Sequence, residues 1–548
     1  MRYRRQTGVV LDLNPQFLKA VELIENTDKN IFVTGRAGTG KSTLLSYVRE
    51  NTGKQMAVLA PTGVAALNVA GQTIHSFFGF KPNVTYDKVR KLPRKKAEQA
   101  AIYKKLETIV IDEVSMVRAD LLDCVDKFMR LNGKNAGQPF GGAQMVFFGD
   151  LYQLPPVVTS AERRIFKENY KSAFFFDAKL FETGTEADPK LFETGFEMEL
   201  VELEKIYRQR DIKLINVLNA IRNNTVTESD LEILNAQCDP DFEPAADDLF
   251  IYLTTTNALA ADVNEARLKK LKGKPFFIDG EITGEFEKKS LPTTVSLALK
   301  VGAQVMLLNN DSGGRWINGT VGKIAATSKK EGETQVDVEL LDGKTVTVTP
   351  FTWKLFNYTF DETSQTIISQ EAGSFEQMPI KLAWAITVHK SQGKTFEKVI
   401  FDIGRGTFAH GQTYVALSRC TDLGGLVLKK PLRKSDIILD LDVVNFLTRH
   451  QYKMAEKKWP LADKIRVLKK AVDKKERVDI VYLKARDVKS RRTIAPSAVE
   501  EMEYKGKGFL GVKAFCQLHQ AERVFRVDRI LEIKEANQNV KNHDLLPL

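Results

Sequence analysis

Three clusters of residues have the types and spacing to do phosphate chemistry. In the first, Gly35-Arg-Ala-Gly-Thr-Gly-Lys41-Ser42 follows the apolar run Ile31-Phe-Val-Thr34 and precedes a helix-forming stretch, Ser42–Glu50. Strand, glycine-rich loop and helix in that order make a phosphate cradle, because Gly35, Gly38 and Gly40 let the loop curl until its backbone N–H groups converge on a β-phosphate. Lys41 neutralises β/γ charge, Ser42 is a ligand for Mg²⁺, and the helix adds its positive N-terminal end. About 70 residues on, Ile109-Val-Ile-Asp112-Glu113 is an apolar strand ending in two carboxylates. Asp112 is placed to take Mg²⁺, directly or through water, and Glu113 to polarise an attacking water. The third cluster is Phe147-Phe-Gly-Asp150-Leu-Tyr-Gln153-Leu-Pro-Pro156. There Gln153 can sense a γ-phosphate by hydrogen bonding, and the two prolines stiffen the exit.

Elements must hold these clusters together. Asn30–Thr34, Met56–Ala60, Thr108–Ile111 and Met145–Phe148 are short apolar runs separated by helix-length segments. They are expected as buried parallel strands of an α/β doubly wound sheet. A second α/β pattern opens near Leu249 and resumes at Lys398. Between them, Gly302 to about Gly373 is rich in Val, Thr and Gly with alternating runs, as a small β-barrel-like insertion would be. A basic segment, Lys81–Lys105, interrupts the first pattern. The segment Lys179-Leu-Phe-Glu-Thr-Gly184 recurs as Lys190-Leu-Phe-Glu-Thr-Gly195, and two copies make a duplicated surface segment, not a solenoid. After Arg449 the chain turns lysine-rich and helical, then forms short strands from Val478, with a boundary expected near residue 455.

A chain of 548 residues exceeds one hydrophobic core, and three to four domains are expected. No stretch approaches the roughly 18 uninterrupted apolar residues of a membrane span, and the basic start Met1-Arg-Tyr-Arg-Arg lacks the apolar run of a secretory signal. Cys124, Cys238, Cys420 and Cys516 lie far apart, which excludes a disulfide framework and fits a reducing interior. Net charge is +11, and Gln451–Leu548 alone holds 23 Lys+Arg against 14 Asp+Glu. That excess suits either a solvated surface or a polyanion-binding module, and charge alone does not choose.

Taken together, the segments from about Leu13 to Asp436 resemble the Pif-type, RecD-like helicases of superfamily 1B. Besides the three clusters, the resemblance rests on Asn14-Pro-Gln16, Ala60-Pro-Thr-Gly-Val-Ala-Ala66, Thr73-Ile-His-Ser-Phe-Phe78, Pro139-Phe-Gly-Gly142, Trp384-Ala-Ile-Thr-Val-His-Lys-Ser-Gln-Gly393 and Tyr414-Val-Ala-Leu-Ser-Arg419. It implies two RecA-like P-loop lobes, 1–200 with a strand-splitting wedge at about 79–105, and 201–450 with an SH3-like β-barrel insertion at about 302–375. It also implies that ATP, with Mg²⁺ on Ser42 and Asp112, is held by Gln16, Gly35, Gly38, Thr39, Gly40, Lys41, Ser42, Thr43, Asp112 and Gly393. Lys41, Glu113, Gln153, Arg208 and Arg419 then form the hydrolytic set, the two arginines reaching the γ-phosphate from the second lobe. Pro61, Thr62, Gly63, His75, Phe77, Thr387, His389, Lys390 and Ser391 match motifs that face single-stranded DNA. The implied activity is 5′-to-3′ unwinding of forked or structured duplex by a chain that is monomeric without DNA and works in the cytoplasm, in a prokaryote-like cell on the nucleoid. An RNA helicase and an ATP-gated single-strand clamp that does not unwind remain alternatives.

Val478–Ile533 resembles a WYL-type domain, a small Sm-like β-fold, within the basic region 455–548. The resemblance is carried by Tyr482, Pro496 and Arg523-Val-Phe-Arg526-Val-Asp-Arg529-Ile530, while Gly508-Phe509-Leu510 stands where the family shows Trp-Tyr-Leu. Arg523, Arg526 and Arg529 are expected to face away from the core beside Arg491 and Arg492, with Phe515 or Tyr504 as stacking surfaces, and Arg526 and Arg529 to contact nucleic acid.

Overall fold

The structure is a computed structural model. It describes residues 2–4, 10–159, 162–181, 197–286 and 291–535, apart from 246, 331–332, 362, 364–365, 405, 408, 485–487 and 505. The second copy of the repeated hexapeptide, and all of the first after Phe181, lie outside the described residues; Lys179–Phe181 form a 3₁₀ turn that buries Leu180.

The chain divides into two compact units, residues 1–222 with 226–439, and residues 223–225 with 440–548. The larger unit holds two parallel sheets. All four apolar runs expected as parallel strands are strands of the first, whose spatial order is Gln72–Thr73, Met56–Ala60, Thr108–Ile111, Gln144–Phe148, Asn30–Gly35, Met198–Leu203. Every neighbouring pair is parallel. Their near-continuous hydrophobicity follows from burial on both faces, as in Gln144–Phe148, where all five residues are buried. Helices Pro15–Asn26 and Lys41–Asn51 cover one face, packing Phe17, Ile24, Leu44 and Val48 on Ile31, Val33, Val58 and Val146.

The second sheet has four parallel strands in the order Ala385–Thr387, Ile251–Thr254, Val399–Phe401, Leu426–Leu428. Between its first two strands in sequence lies the expected β-rich insertion. One part is a five-stranded antiparallel sheet, in the order Thr345–Val348, Glu333–Leu340, Val321–Lys330, Gln304–Leu307, Ile380–Leu382, around a core of Val305, Trp316, Val338 and Val348. The other part, a long hairpin of Phe351–Asp361 and Thr366–Gln377, reaches the first sheet. There the Tyr358 hydroxyl accepts the Val58 N–H at 2.9 Å, and Gln72 donates to Asn357 at 2.7 Å. The basic segment after Phe80 has two 3₁₀ turns and the helix Ala97–Lys105, which buries Ile102 and Tyr103.

In the smaller unit, helices Leu441–Lys458 and Leu461–Lys474 flank a five-stranded antiparallel sheet. Its order is Ala521–Arg526, Lys507–Cys516, Val488–Tyr504, Val478–Lys484, Ile530–Glu535. Leu468 and Ala471 pack on one face with Val478, Ile480 and Phe525, while Ala455 packs with Leu483 and Leu531. The first of these helices runs through residue 455, and the compact unit begins at Asp440. One expectation fails here. Arg491 is exposed, but Arg492 is only 3% exposed and bonded to Ser490 and Cys516. Successive strand residues point to opposite faces, so the two arginines cannot share a surface.

The cysteines are free thiols. Among the described residues no helix is long and apolar enough to cross a membrane.

Candidate functional site

The phosphate loop connects the strand Asn30–Gly35 to the helix Lys41–Asn51, with Gly38 and Gly40 at φ of 83° and 89°. Gly38 is required twice over. Its backbone is left-handed, and a Cβ there would lie 2.4 Å from the Cβ of Arg208. Arg208 thus packs directly on the loop, an arrangement fixed by the bond from the Tyr207 N–H to the Gly38 carbonyl at 2.8 Å. Lys41 Nζ donates to the carbonyls of Gly35 at 2.7 Å and Arg36 at 3.1 Å, and burial lowers its pKa against the pull of Asp150 and Glu113. Thr39 ties the loop through its hydroxyl to Arg36, while Ser42 and Thr43 are exposed in the first helical turn.

Asp112 and Glu113 end the strand Thr108–Ile111, and Glu113 adopts φ 49°. Burial, with the neighbouring Glu113, pushes Asp112 up to about 7, and burial also raises Glu113. A buried carboxylate beside a half-buried one, both raised, calls for a cation. Asp112 with Ser42 supplies the hard oxygen donors that a Mg²⁺ shared with substrate phosphates takes. Glu113 accepts a hydrogen bond from Gln392 Nε2 at 2.8 Å, a contact from the second sheet's side of the cleft.

Arg419 is 1% exposed. It donates to the carbonyls of Val415 at 2.8 Å and Lys394 at 3.3 Å and to Ser418 Oγ at 2.8 Å; burial, with Arg208 nearby, lowers it to about 9. Arg208 donates to the carbonyls of Ser418 and Gly393, each at 3.4 Å, and burial lowers its pKa too. Neither guanidinium makes an ion pair among the described residues. Gln153 is buried, its amide 3.3 Å from Asp150. Lys41, Glu113, Arg208 and Arg419 therefore lie within electrostatic reach of one another, and Gln153 joins them through Asp150. Near the loop, Gln16 donates to Glu204 at 3.3 Å, and Asn14 to the hydroxyl of Tyr207 at 3.1 Å. Tyr207, 46% exposed beside Gly40, is a ring next to the phosphate loop that sequence reasoning passed over, although it adjoins Arg208.

The candidate strand-facing residues separate into two sets. Thr62 caps the helix Gly63–Asn68 and Thr73 caps Ile74–Phe78, holding Pro61, Gly63 and His75 at the ends of first-sheet strands. Lys390 is exposed and His389 half-buried, its pKa lowered by burial. Phe77, by contrast, is 4% exposed within an aromatic cluster with Phe78, Tyr103 and Tyr358. Thr387 and Ser391 are buried caps of the turn His389–Ser391: the Thr387 hydroxyl accepts the Lys390 N–H, and Ser391 donates to the Val388 carbonyl. These three build the surface without forming it. Two lysines were missed. Lys381 is driven down to about 7 by burial and by Lys394 and Lys390, and Lys394 falls to about 8 by burial while donating to Asn318 at 2.6 Å. Their spacing in sequence gave no sign of the cluster, because the strand Ile380–Leu382 belongs to the inserted sheet.

In the smaller unit, Arg526 is ion-paired with Asp528 at 2.6 Å and lies 5.1 Å over the Phe509 ring, whereas Arg529 makes no ion pair among the described residues. Phe515 and Tyr504 are 41% and 68% exposed.

Residues 14–229 match the model of the PIF1-like helicase family, and residues 463–535 match that of the WYL domain. The ATP-dependent DNA helicase Pif1 of Bdellovibrio bacteriovorus is 31% identical over 80% of this chain and 92% of its own length. Pif1 from Bacteroides sp in complex with ADP-AlF4 superimposes with a TM-score of 0.73 at 37% identity, covering 81% of this chain and 98% of that one. Bacteroides Pif1 bound to ssDNA gives 0.55 at 38% identity, with 82% and 97% covered. With two parallel sheets of RecA-like α/β type in the larger unit, these likenesses establish that the chain belongs to the PIF1-like helicases and carries a WYL domain over residues 463–535.

Proposed function

We propose that this chain is an ATP-dependent DNA helicase that moves 5′-to-3′ along single-stranded DNA and separates the duplex ahead of it. The observation that carries the mechanism is the pair Arg208 and Arg419, one guanidinium half-buried and one buried, bonded only to carbonyls and a hydroxyl, beside a phosphate loop and a raised Glu113. Such a cleft is complementary to a highly charged anion and to little else.

Lys41 exchanges the carbonyls of Gly35 and Arg36 for the β- and γ-phosphates. Glu113, oriented by Gln392, accepts the proton of the attacking water. Arg208 and Arg419 neutralise charge developing on the transferred phosphoryl group, an effect worth about 10³- to 10⁵-fold in rate in related systems. Mg²⁺, when bound by Ser42 and Asp112, supplies further neutralisation of the phosphates. Once the γ-phosphate leaves, nothing anionic holds the two arginines against the loop, so the cleft relaxes; alternating closure and relaxation is the stroke.

The exposed strand ends around Thr62, His75 and Lys390 supply grips on the two sides of the cleft, with Lys381 and Lys394 as additional phosphate contacts. The residues up to Leu203, which end the first sheet, and those from there to Leu439 act as the two lobes, the segment 79–105 as the strand-splitting wedge, and the antiparallel sheet from Gln304 to Leu382 as an SH3-like module. The basic unit from Asp440 onward holds the separated strand through Arg529 and Arg526.

Forked substrates with a 5′ or a 3′ single-stranded tail, in DNA and RNA, test this reading. Opening of the 5′-tailed DNA with ATP is expected; efficient opening from the 3′ tail, or of RNA alone, rejects it.

A further inference from the structure

Asp150 has no solvent exposure, yet its carboxylate joins its own loop to two helices. One oxygen lies 3.5 Å from Arg222 Nη2 and accepts the Tyr152 N–H at 3.2 Å. The other is 3.3 Å from the Gln153 amide and 3.4 Å from the Tyr414 hydroxyl. That hydroxyl in turn accepts the Ala37 N–H at 3.0 Å, so the chain of contacts ends in the phosphate loop. Arg222 closes the helix Ile212–Arg222, which packs against the helix Gln412–Leu417 bearing Tyr414. Its guanidinium lies 4.1 Å over the Tyr152 ring, and its Nε finds no hydrogen-bond partner. The approach is close: a Cβ on Gly411 would lie 2.3 Å from the Tyr152 carbonyl, and a His410 ring nitrogen is 2.8 Å from the Leu151 carbonyl.

We propose that Arg222 is a positioning residue for turnover, fixing Asp150 so that Gln153 and the Tyr414–Ala37 contact hold the γ-phosphate side of the cleft and the phosphate loop in register. Arg222 touches no substrate. It acts through a buried ion pair whose removal from one side leaves Asp150 charged, desolvated and free to draw Gln153 and Tyr414 out of place. The ring contact explains why arginine is used: a lysine has no planar face to lay over Tyr152. The inference rests on the reading of Gln153 as a γ-phosphate contact, and its test separates the two.

The variants are Arg222→Met, Arg222→Met with Asp150→Asn, and Gln153→Ala, all in the full chain. DNA-stimulated ATPase is measured at least 10 °C below each variant's melting temperature, with ssDNA affinity measured without nucleotide. Arg222→Met is expected to lose at least about tenfold in kcat, as small displacements at a reacting centre do, with KM for ATP and ssDNA affinity within about twofold. Adding Asp150→Asn, which removes the stranded charge and keeps an acceptor for Tyr414, restores most of kcat. Should Arg222→Met fail to fold, Arg222→Lys takes its place and loses kcat in the same direction. Wild-type kcat in folded Arg222→Met, or no recovery in a folded double variant, overturns the inference while Gln153→Ala is still slow. Wild-type kcat in Gln153→Ala instead removes the reading beneath it.

Discussion

Gln392 Nε2 donates to a carboxylate oxygen of Glu113 over 2.8 Å, linking the turn after one parallel sheet to the strand end of the other. Glu113 therefore receives its orientation from across the cleft, and hydrolysis becomes sensitive to closure. Glu113→Gln is expected to bind ATP nearly normally while kcat falls by at least about 10²-fold, the usual value of a general base. Gln392→Ala keeps the base and loses its orientation, so kcat falls roughly ten- to hundredfold, the worth of one hydrogen bond to a charged group. Nucleotide titration and steady-state ATPase check both. Equal loss of affinity and rate would make Glu113 structural.

Asp112 sets a pH dependence. Its folded pKa of about 7 lies above the ordinary carboxylate value of 3.8, so the fold prefers the protonated form. A raised carboxylate costs stability progressively as pH climbs from near 4 to near 7, and the cost is constant above that. Without Mg²⁺, Asp112→Asn should be more stable than the wild type at pH 8, by on the order of 1 kcal/mol or more, and nearly equal to it at pH 4. Mg²⁺ with nucleotide should stabilise the wild type more at pH 8 than at pH 6. Thermal unfolding at several pH values reads both, and parallel curves for the two proteins would contradict the assignment.

The lysine cluster makes a separate prediction. Lys381, its pKa lowered to about 7 first by burial and then by Lys394 and Lys390, gains a counter-charge from a bound phosphate that it lacks without one. Lys381→Gln should weaken ssDNA binding and reduce the slope of log affinity against log salt by about 0.7, one phosphate contact on a single strand. An unchanged slope would place the lysine outside the strand path.

How much was legible follows from what local sequence encodes. The strand–loop–helix around Gly35–Ser42, the strand end at Asp112 and Glu113 and the buried runs of the first sheet are local patterns, and they were read correctly. What was missed is contact between distant segments. Gln392 was quoted within its motif without a partner, and Tyr207 and Arg222 carry no local signature because Tyr207 bonds Asp12 across 195 positions and Arg222 meets Asp150 from a separate helix; Lys381 sits near Lys390 and Lys394 in sequence, but on a strand of the inserted sheet. Phe77, Thr387 and Ser391 show the converse: a motif names a segment, while the pleat and the caps decide which of its residues face outward. Arg492 was misplaced for the same reason.

In the C-terminal unit, Arg526 and Arg529 look equivalent in sequence but differ in their contacts. Arg526 is already engaged: Asp528 neutralises it at 2.6 Å, and Phe509 lies under its guanidinium. A phosphate binding there must compete with a carboxylate in place. Arg529, without an ion pair among the described residues, offers its full charge. Arg529→Ala should thus lower the salt slope of ssDNA affinity by about 0.7 and reduce unwinding, while Arg526→Ala changes the slope by less. DNA-stimulated ATPase should remain near wild type in both, since neither residue belongs to the cleft. Deleting 457–548 should reduce unwinding further, but it also removes part of the helix Leu441–Lys458, so the point variants are the cleaner test. If Arg526→Ala has the larger effect, Asp528 is a partner displaced on binding; if neither variant changes unwinding or slope, the unit serves another role than holding the separated strand.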